Sequence, residues 1–121
     1  TFIRDAIKLK KINLTVNGSS SKDYLSIEDA INLILLIINK GKKNIYNVAS
    51  GKRISFNKIT SEIKKITNCT VLKSNKTVKI SEPKIDIKRI KNEFKFKQSS
   101  NLLNDLKNLI LEFKKKNNMN E

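Results

Sequence analysis

Lys22 opens the stretch Lys22-Asp23-Tyr24-Leu25-Ser26-Ile27-Glu28-Asp29, where a cation, a phenol and three carboxylates fall close together. A cation on a strand that turns straight into a helix is held rigidly enough to sit over an anionic ligand. The plainer reading is that Lys22 is a solvated lysine. Ser26, with Asp29 three residues on, makes a capping box: the hydroxyl takes a first-turn N–H and the carboxylate reaches back. Catalytic geometry is missing. Glu28 and Asp29 are adjacent, so on a helix they diverge by about 100° and cannot face each other as acid and base. Neither tyrosine has a lysine four residues on: Tyr24 meets Glu28 and Tyr46 meets Ser50. Gly18, Gly41 and Gly51 are the only glycines, and none lies in a phosphate-cradling loop. With no histidine and the single cysteine Cys69, zinc sites and histidine-based triads are excluded within this chain. The expectation is therefore no catalytic residue, no cofactor loop and no metal ligand in these residues.

The bulk properties narrow the class. A chain of 121 residues can form one domain that buries roughly two-thirds of its surface. Its longest purely apolar run, 33–38, is far short of the roughly 20 residues that cross a bilayer. No apolar signal segment opens the chain. It starts without methionine and inside a helical pattern, which reads as a piece of a longer protein. The net charge of +15 invites a nucleic-acid reading. Against it, the excess is almost all lysine, with Arg4, Arg53 and Arg89 the only arginines, and aromatics make up 6%. Phosphate and base recognition favours arginine forks and aromatic platforms. The expectation is no nucleic acid and no membrane. A lone cysteine cannot form an internal disulfide and is compatible with a reducing cytoplasm.

The elements that would position Lys22 follow from periodicity. Phe2, Ile3, Ala6 and Ile7 have helical spacing. Residues 12–16 alternate as a half-buried strand, and 17–21 form a turn. Strand 22–25 leads into a helix that is apolar nearly all round over 31–38, and such a helix must be covered on most sides. Gly41 offers a left-handed stop. Residues 45–49 read as a strand ended by Ser50-Gly51. Ser55 caps a helix striped with Phe56, Ile59, Ile63 and Ile66, and Asn68 closes it. Residues 70–73 and 77–80 read as short strands. Pro83 marks a loop, and Asp86 is an N-cap for a helix over 87–94. The last helix carries Leu102, Leu106, Leu109, Ile110 and Phe113, so 1–113 form one region and 114–121 a frayed polar tail.

Three segments together resemble a known family. They are Leu14-Thr15-Val16-Asn17-Gly18 with Asp23-Tyr24, Ile27 and Asp29 beyond; Tyr46-Asn47-Val48-Ala49-Ser50-Gly51 with Ser55-Phe56-Asn57-Lys58-Ile59; and Asp86-Ile87-Lys88-Arg89-Ile90-Lys91-Asn92-Glu93-Phe94-Lys95-Phe96. In this order they are similar to the C-terminal part of the NAD-dependent sugar-nucleotide epimerases and dehydratases, the extended short-chain dehydrogenase/reductase family. The resemblance implies a small mixed α/β substrate-binding region that completes a Rossmann-type fold. Its N-terminal domain, absent here, would hold NAD or NADP and the catalytic Tyr-x-x-x-Lys.

On that resemblance, the substrate is a nucleotide-diphosphate sugar. Lys22 stands where the family usually has an arginine on the pyrophosphate; lysine keeps the charge and loses the bidentate fork. Thr15 and Asn17 stand at strand positions that line the base and ribose. A second family arginine has no clear match, with Lys76 or Lys79 as the nearest substitutes. Asp23 and Asp29 are expected to support the local fold, and the segment around Tyr46 and Asn47 to pack against the dinucleotide domain. The parent is expected to be a cytoplasmic homodimer. Two rival readings stand: a non-catalytic α/β interaction module that kept the fold, and a basic nucleic-acid binder.

Overall fold

The computed structural model describes residues 2–73, 75, 78–80 and 82–118. Four short strands and five helices alternate as α1 (Phe2–Lys8), β1 (Lys11–Leu14), β2 (Ser21–Asp23), α2 (Ile27–Lys40), β3 (Arg53–Ser55), α3 (Phe56–Thr67), β4 (Thr70–Lys73), α4 (Lys88–Phe94) and α5 (Leu102–Lys116). β1 pairs with β4 in parallel, Lys11 opposite Thr70 and Leu14 opposite Lys73. β2 pairs with β3 antiparallel, Lys22 opposite Ile54 and Asp23 opposite Arg53. This is a small mixed α/β architecture of the expected class.

Two apolar clusters hold it together. In β1 the alternation of the sequence becomes alternation of burial: Ile12 and Leu14 point inward while Lys11 and Asn13 face out. Ile12 joins Ala6 and Ile7 of α1, Ile59 and Ile63 of α3, Cys69, and Leu106 and Ile110 of α5 in the larger cluster. The smaller cluster gathers Leu33, Ala49, Ile87 and Ile90, with Tyr46, Phe94 and Phe96 against it. It binds α2 and α4 to the chain around Ala49. Helix ends follow local chemistry. Ser55 Oγ accepts from Lys58 N at 3.3 Å, and Asn68 closes α3 in the left-handed conformation at φ 54°.

Several expectations are corrected. The 12–16 strand is β1, Lys11–Leu14, so Thr15 falls beyond it; the 22–25 strand is β2, Ser21–Asp23. Residues 45–49 form no ladder among the described residues; a strand needs a neighbour, and none of the described strands pairs with them. Val78, Lys79 and Ile80 are not in a strand, while Thr77 and Lys76 lie outside the described residues. Gly41 has φ −68°, not a left-handed value. A side chain there would put its Cβ 2.5 Å from the Ile37 carbonyl oxygen, so close approach is what requires glycine. The capping box is half formed: Ser26 Oγ accepts from Asp29 N at 3.1 Å, but the Asp29 carboxylate turns away and accepts from Ser99 N at 3.1 Å. Asp86 serves α4 from one position earlier than expected, its Oδ1 accepting from Lys88 N at 2.8 Å with Ile87 at the cap. Helix α5 continues to Lys116, into the segment read as a polar tail. Its three terminal lysines complement the helix dipole there.

Helix α2 departs furthest. Among its aliphatic side chains Leu33 alone is fully buried. Ile27, Ile31, Ile34, Leu35 and Ile38 form one exposed stripe at helical spacing.

Candidate functional site

The ribbon β2–β3 presents Lys22, and its foundations are polar. Asp23 Oδ1 accepts from Ser50 N at 2.8 Å. Ser50 Oγ accepts from Lys52 N and donates to Lys52 O, each at 3.0 Å, which closes the turn between them. Gly51 sits at φ +71°, and a Cβ there would lie 2.7 Å from Ile87 Cδ1. Ser50-Gly51 forms a tight turn, although the strand it was expected to end is not formed. Asp23 is a structural group, as read; its Oδ2 is buried with no hydrogen-bond partner among the described residues.

Lys22 is half exposed, and its Nζ lies 3.2 Å from Glu82 Oε1. The Tyr24 phenol is near both. Burial pushes its pKa above the ordinary 10.0, Lys22 pulls it down, and Glu82 pushes it up again. Around Tyr24 opens a cleft of about 370 Å³ lined by Ser50, Arg53, Gln98, Ser99 and Asn101 among others. The loop carrying Gln98 and Ser99 is held by Asp29, and weakly by Gln98 Nε2 to Tyr24 O at 3.4 Å.

The other two expected ligand residues have different surroundings. Thr15 is exposed just past β1. Asn17 Oδ1 accepts from Ser19 N at 2.9 Å and Ser19 Oγ at 2.7 Å, while Asn17 O accepts from Ser20 N. That is a side-chain-stabilised turn, so the Asn17 oxygen is engaged in shaping the chain between β1 and β2. Gly18 lies tight against Asn57, whose N–H donates to Gly18 O at 2.8 Å. Thr15, Asn17 and Lys22 thus share one continuous stretch with unlike roles.

Four partnerships were not legible in the sequence. Glu82 pairs with Lys22 across sixty positions, and nothing local marks it. Arg53 donates from Nη1 to Glu82 O at 2.5 Å. Arg89 Nη1 donates to Ile45 O at 2.8 Å. The Tyr46 hydroxyl lies 2.8 and 2.9 Å from the two Glu93 carboxylate oxygens, donating to that carboxylate, and accepts from Lys42 N and Lys43 N. The single signal for the last is that a buried tyrosine hydroxyl needs partners.

A dinucleotide cofactor does not fit the residues present. Its phosphates need a glycine-rich turn between a strand and a helix N-terminus. Here Gly18 packs on Asn57, Gly41 on the end of α2 and Gly51 on Ile87. No group of three or more His, Cys, Asp or Glu side chains among the described residues could hold a metal ion. No helix among them is long and apolar enough to cross a membrane.

No family model matches the chain. Solved structures do match its fold. The chain is similar to dTDP-glucose 4,6-dehydratase of Bacillus anthracis in complex with NAD, at TM-score 0.76 and 17% identity, over 98% of this chain and 39% of that one. It is similar to UDP-glucose 4-epimerase of Thermotoga maritima with UDP-glucose, at TM-score 0.75 and 20% identity, over 95% and 38%. The Bordetella bronchiseptica enzyme WbmF, in complex with NAD+ and UDP, matches at TM-score 0.72 and 27% identity, over 97% and 35%. The chain therefore spans between a third and two-fifths of the length of these proteins. Its fold is that of the C-terminal portion of Rossmann-type enzymes acting on sugar nucleotides.

Proposed function

We propose that this chain is the part of an NAD(P)-dependent sugar-nucleotide epimerase or dehydratase that binds the nucleotide-diphosphate sugar. The carrying observation is that nearly the whole chain superposes on a minor portion of the dehydratase and epimerase structures, 98% of it on 39% of the first. The cofactor and the proton-transferring groups then belong to the remainder of the parent enzyme, a cytoplasmic homodimer. Lys22 supplies positive charge to the diphosphate, and Thr15 and the Asn17 turn border the nucleoside. The exposed stripe of α2 and the unpaired segment 45–49 form the seam with the cofactor-binding remainder.

The test is calorimetric titration of the full parent protein with UDP-glucose and dTDP-glucose. Removing one charge-assisted phosphate contact, in Lys22→Ala, weakens binding by about 3- to 10-fold. If the parent binds one of these sugars and Lys22→Ala leaves affinity unchanged, Lys22 is not a ligand group. If it binds neither, the non-catalytic interaction module takes over.

A further inference from the structure

Lys22 is not waiting for a ligand with an open hand. Its ammonium is on the Glu82 carboxylate at 3.2 Å, and two further bonds fix the segment that delivers Glu82. Before it, Ile80 N donates to Oγ of the fully buried Ser20, at 2.9 Å. At Glu82 itself, the backbone carbonyl accepts from Arg53. Ser20 immediately precedes β2 and Arg53 opens β3, so the ribbon on which Lys22 stands places the carboxylate that covers its own cation.

We propose that Glu82 is an internal anion that occupies the phosphate position on Lys22 and must be displaced by an incoming diphosphate. The inference rests on the reading of Lys22 as the diphosphate contact and adds a specificity device to it. The energetics suit displacement. Both side chains are about half exposed, and an ion pair in that setting is weak and salt-screened. A diphosphate brings more charge to the same ammonium than one carboxylate does, whereas a singly charged ligand gains nothing by the exchange. Glu82 thereby sets a threshold of ligand charge. Tyr24 senses both partners, since Lys22 and Glu82 act on its phenol in opposite directions.

Glu82→Gln tests this with little disturbance, because both anchors are backbone groups of the segment and survive the change. Calorimetry on the full parent protein with inorganic pyrophosphate compares wild type, Glu82→Gln, Lys22→Ala and the double variant. Glu82→Gln is expected to tighten binding two- to five-fold, and the gain is expected to vanish in the Lys22→Ala background. Unchanged or weaker binding in Glu82→Gln overturns the proposal, as does a gain that persists without Lys22, or no binding by either protein. The underlying reading fails separately. Pyrophosphate binding that follows the expected pattern, with no nucleotide sugar bound, sinks the substrate assignment and leaves the Glu82 gate standing. Nucleotide-sugar binding through Lys22 with an indifferent Glu82→Gln sinks the gate alone.

Discussion

Helix α2 gives the most direct test of whether this chain is one side of a larger interface. Ile34 is 47% and Ile38 72% exposed, and they lie on the same face, four residues apart. Burying an aliphatic side chain completely is worth about 1.5–3 kcal/mol, so the uncovered fractions of the two together represent about 2–4 kcal/mol that a covering surface can recover. The perturbation is Ile34→Lys with Ile38→Lys. In the 121-residue chain alone both positions face water, and exposed substitutions of this kind change stability by less than about 0.5 kcal/mol. In the parent, where the proposed seam buries them, the pair loses the apolar contribution and must also desolvate two ammonium groups. The parent is expected to lose at least about 2 kcal/mol. Urea unfolding of both proteins measures it, read as a shift in midpoint at constant slope. Equal, small effects in the two would refute the seam, and equal, large effects would show that the stripe is already buried in the chain alone.

Two further outcomes follow from the ribbon and its turn. Gly51→Ala forces a side chain into φ +71° against the buried Ile87, and the left-handed conformation alone costs about 1–2 kcal/mol. A loss of about 2–3 kcal/mol is expected in urea unfolding, and a loss below about 0.5 kcal/mol removes the argument for a tight exit. Tyr24 has a folded-state pKa above the ordinary 10.0, so the native state holds its proton more firmly than the unfolded chain does. Its contribution to stability is complete below pH 10 and is lost as pH rises through that value and the raised folded pKa. An ultraviolet titration comparing wild type with Tyr24→Phe reads this directly; a Tyr24 phenol that ionises at or below the ordinary value shows that Lys22 outweighs burial there and refutes the expected direction.

What the sequence made legible was whatever depends on neighbours in the chain. Of the stripe Phe56, Ile59, Ile63 and Ile66, the central pair Ile59 and Ile63 is buried and Ile66 is exposed; the cap Ser55, the helix end at Asn68 and the inward pair Ile12 and Leu14 are local and present. Asp23 supports the local fold as expected, whereas Asp29 takes Ser99 N in place of completing the cap; both partners, Ser50 and Ser99, come from distant segments that no periodicity connects to them. For the same reason the Glu82 contact to Lys22 escaped notice. The apolar pattern over 31–38 predicts cover on most sides, and among the described residues only the face carrying Leu33 has it. The error at Gly41 is instructive in another way. Glycine after a helix suggests a left-handed residue, yet crowding by the Ile37 carbonyl demands glycine just as strictly at a negative φ.

The segment 45–49 carries a strand pattern that the structure does not fulfil. A backbone outside any ladder must have its polar groups met somewhere, and here one side chain of α4 meets part of the requirement while the segment's own side chains tie it to its surroundings. Arg89 donates to Ile45 O, Asn47 reaches Asp86 O, and the Tyr46 hydroxyl is held by Glu93 and the amides of Lys42 and Lys43. These contacts hold the segment in place without any ladder among the described residues. Ile45 and Val48 remain exposed along it, and the bare stripe of α2 leads into it through residues 41–44. A helix with an uncovered apolar face followed by an unpaired segment with a strand pattern has the composition of one helix–strand unit of a larger sheet. The local contacts hold the segment in position, so in the proposed seam a strand of the parent would meet it at small entropic cost.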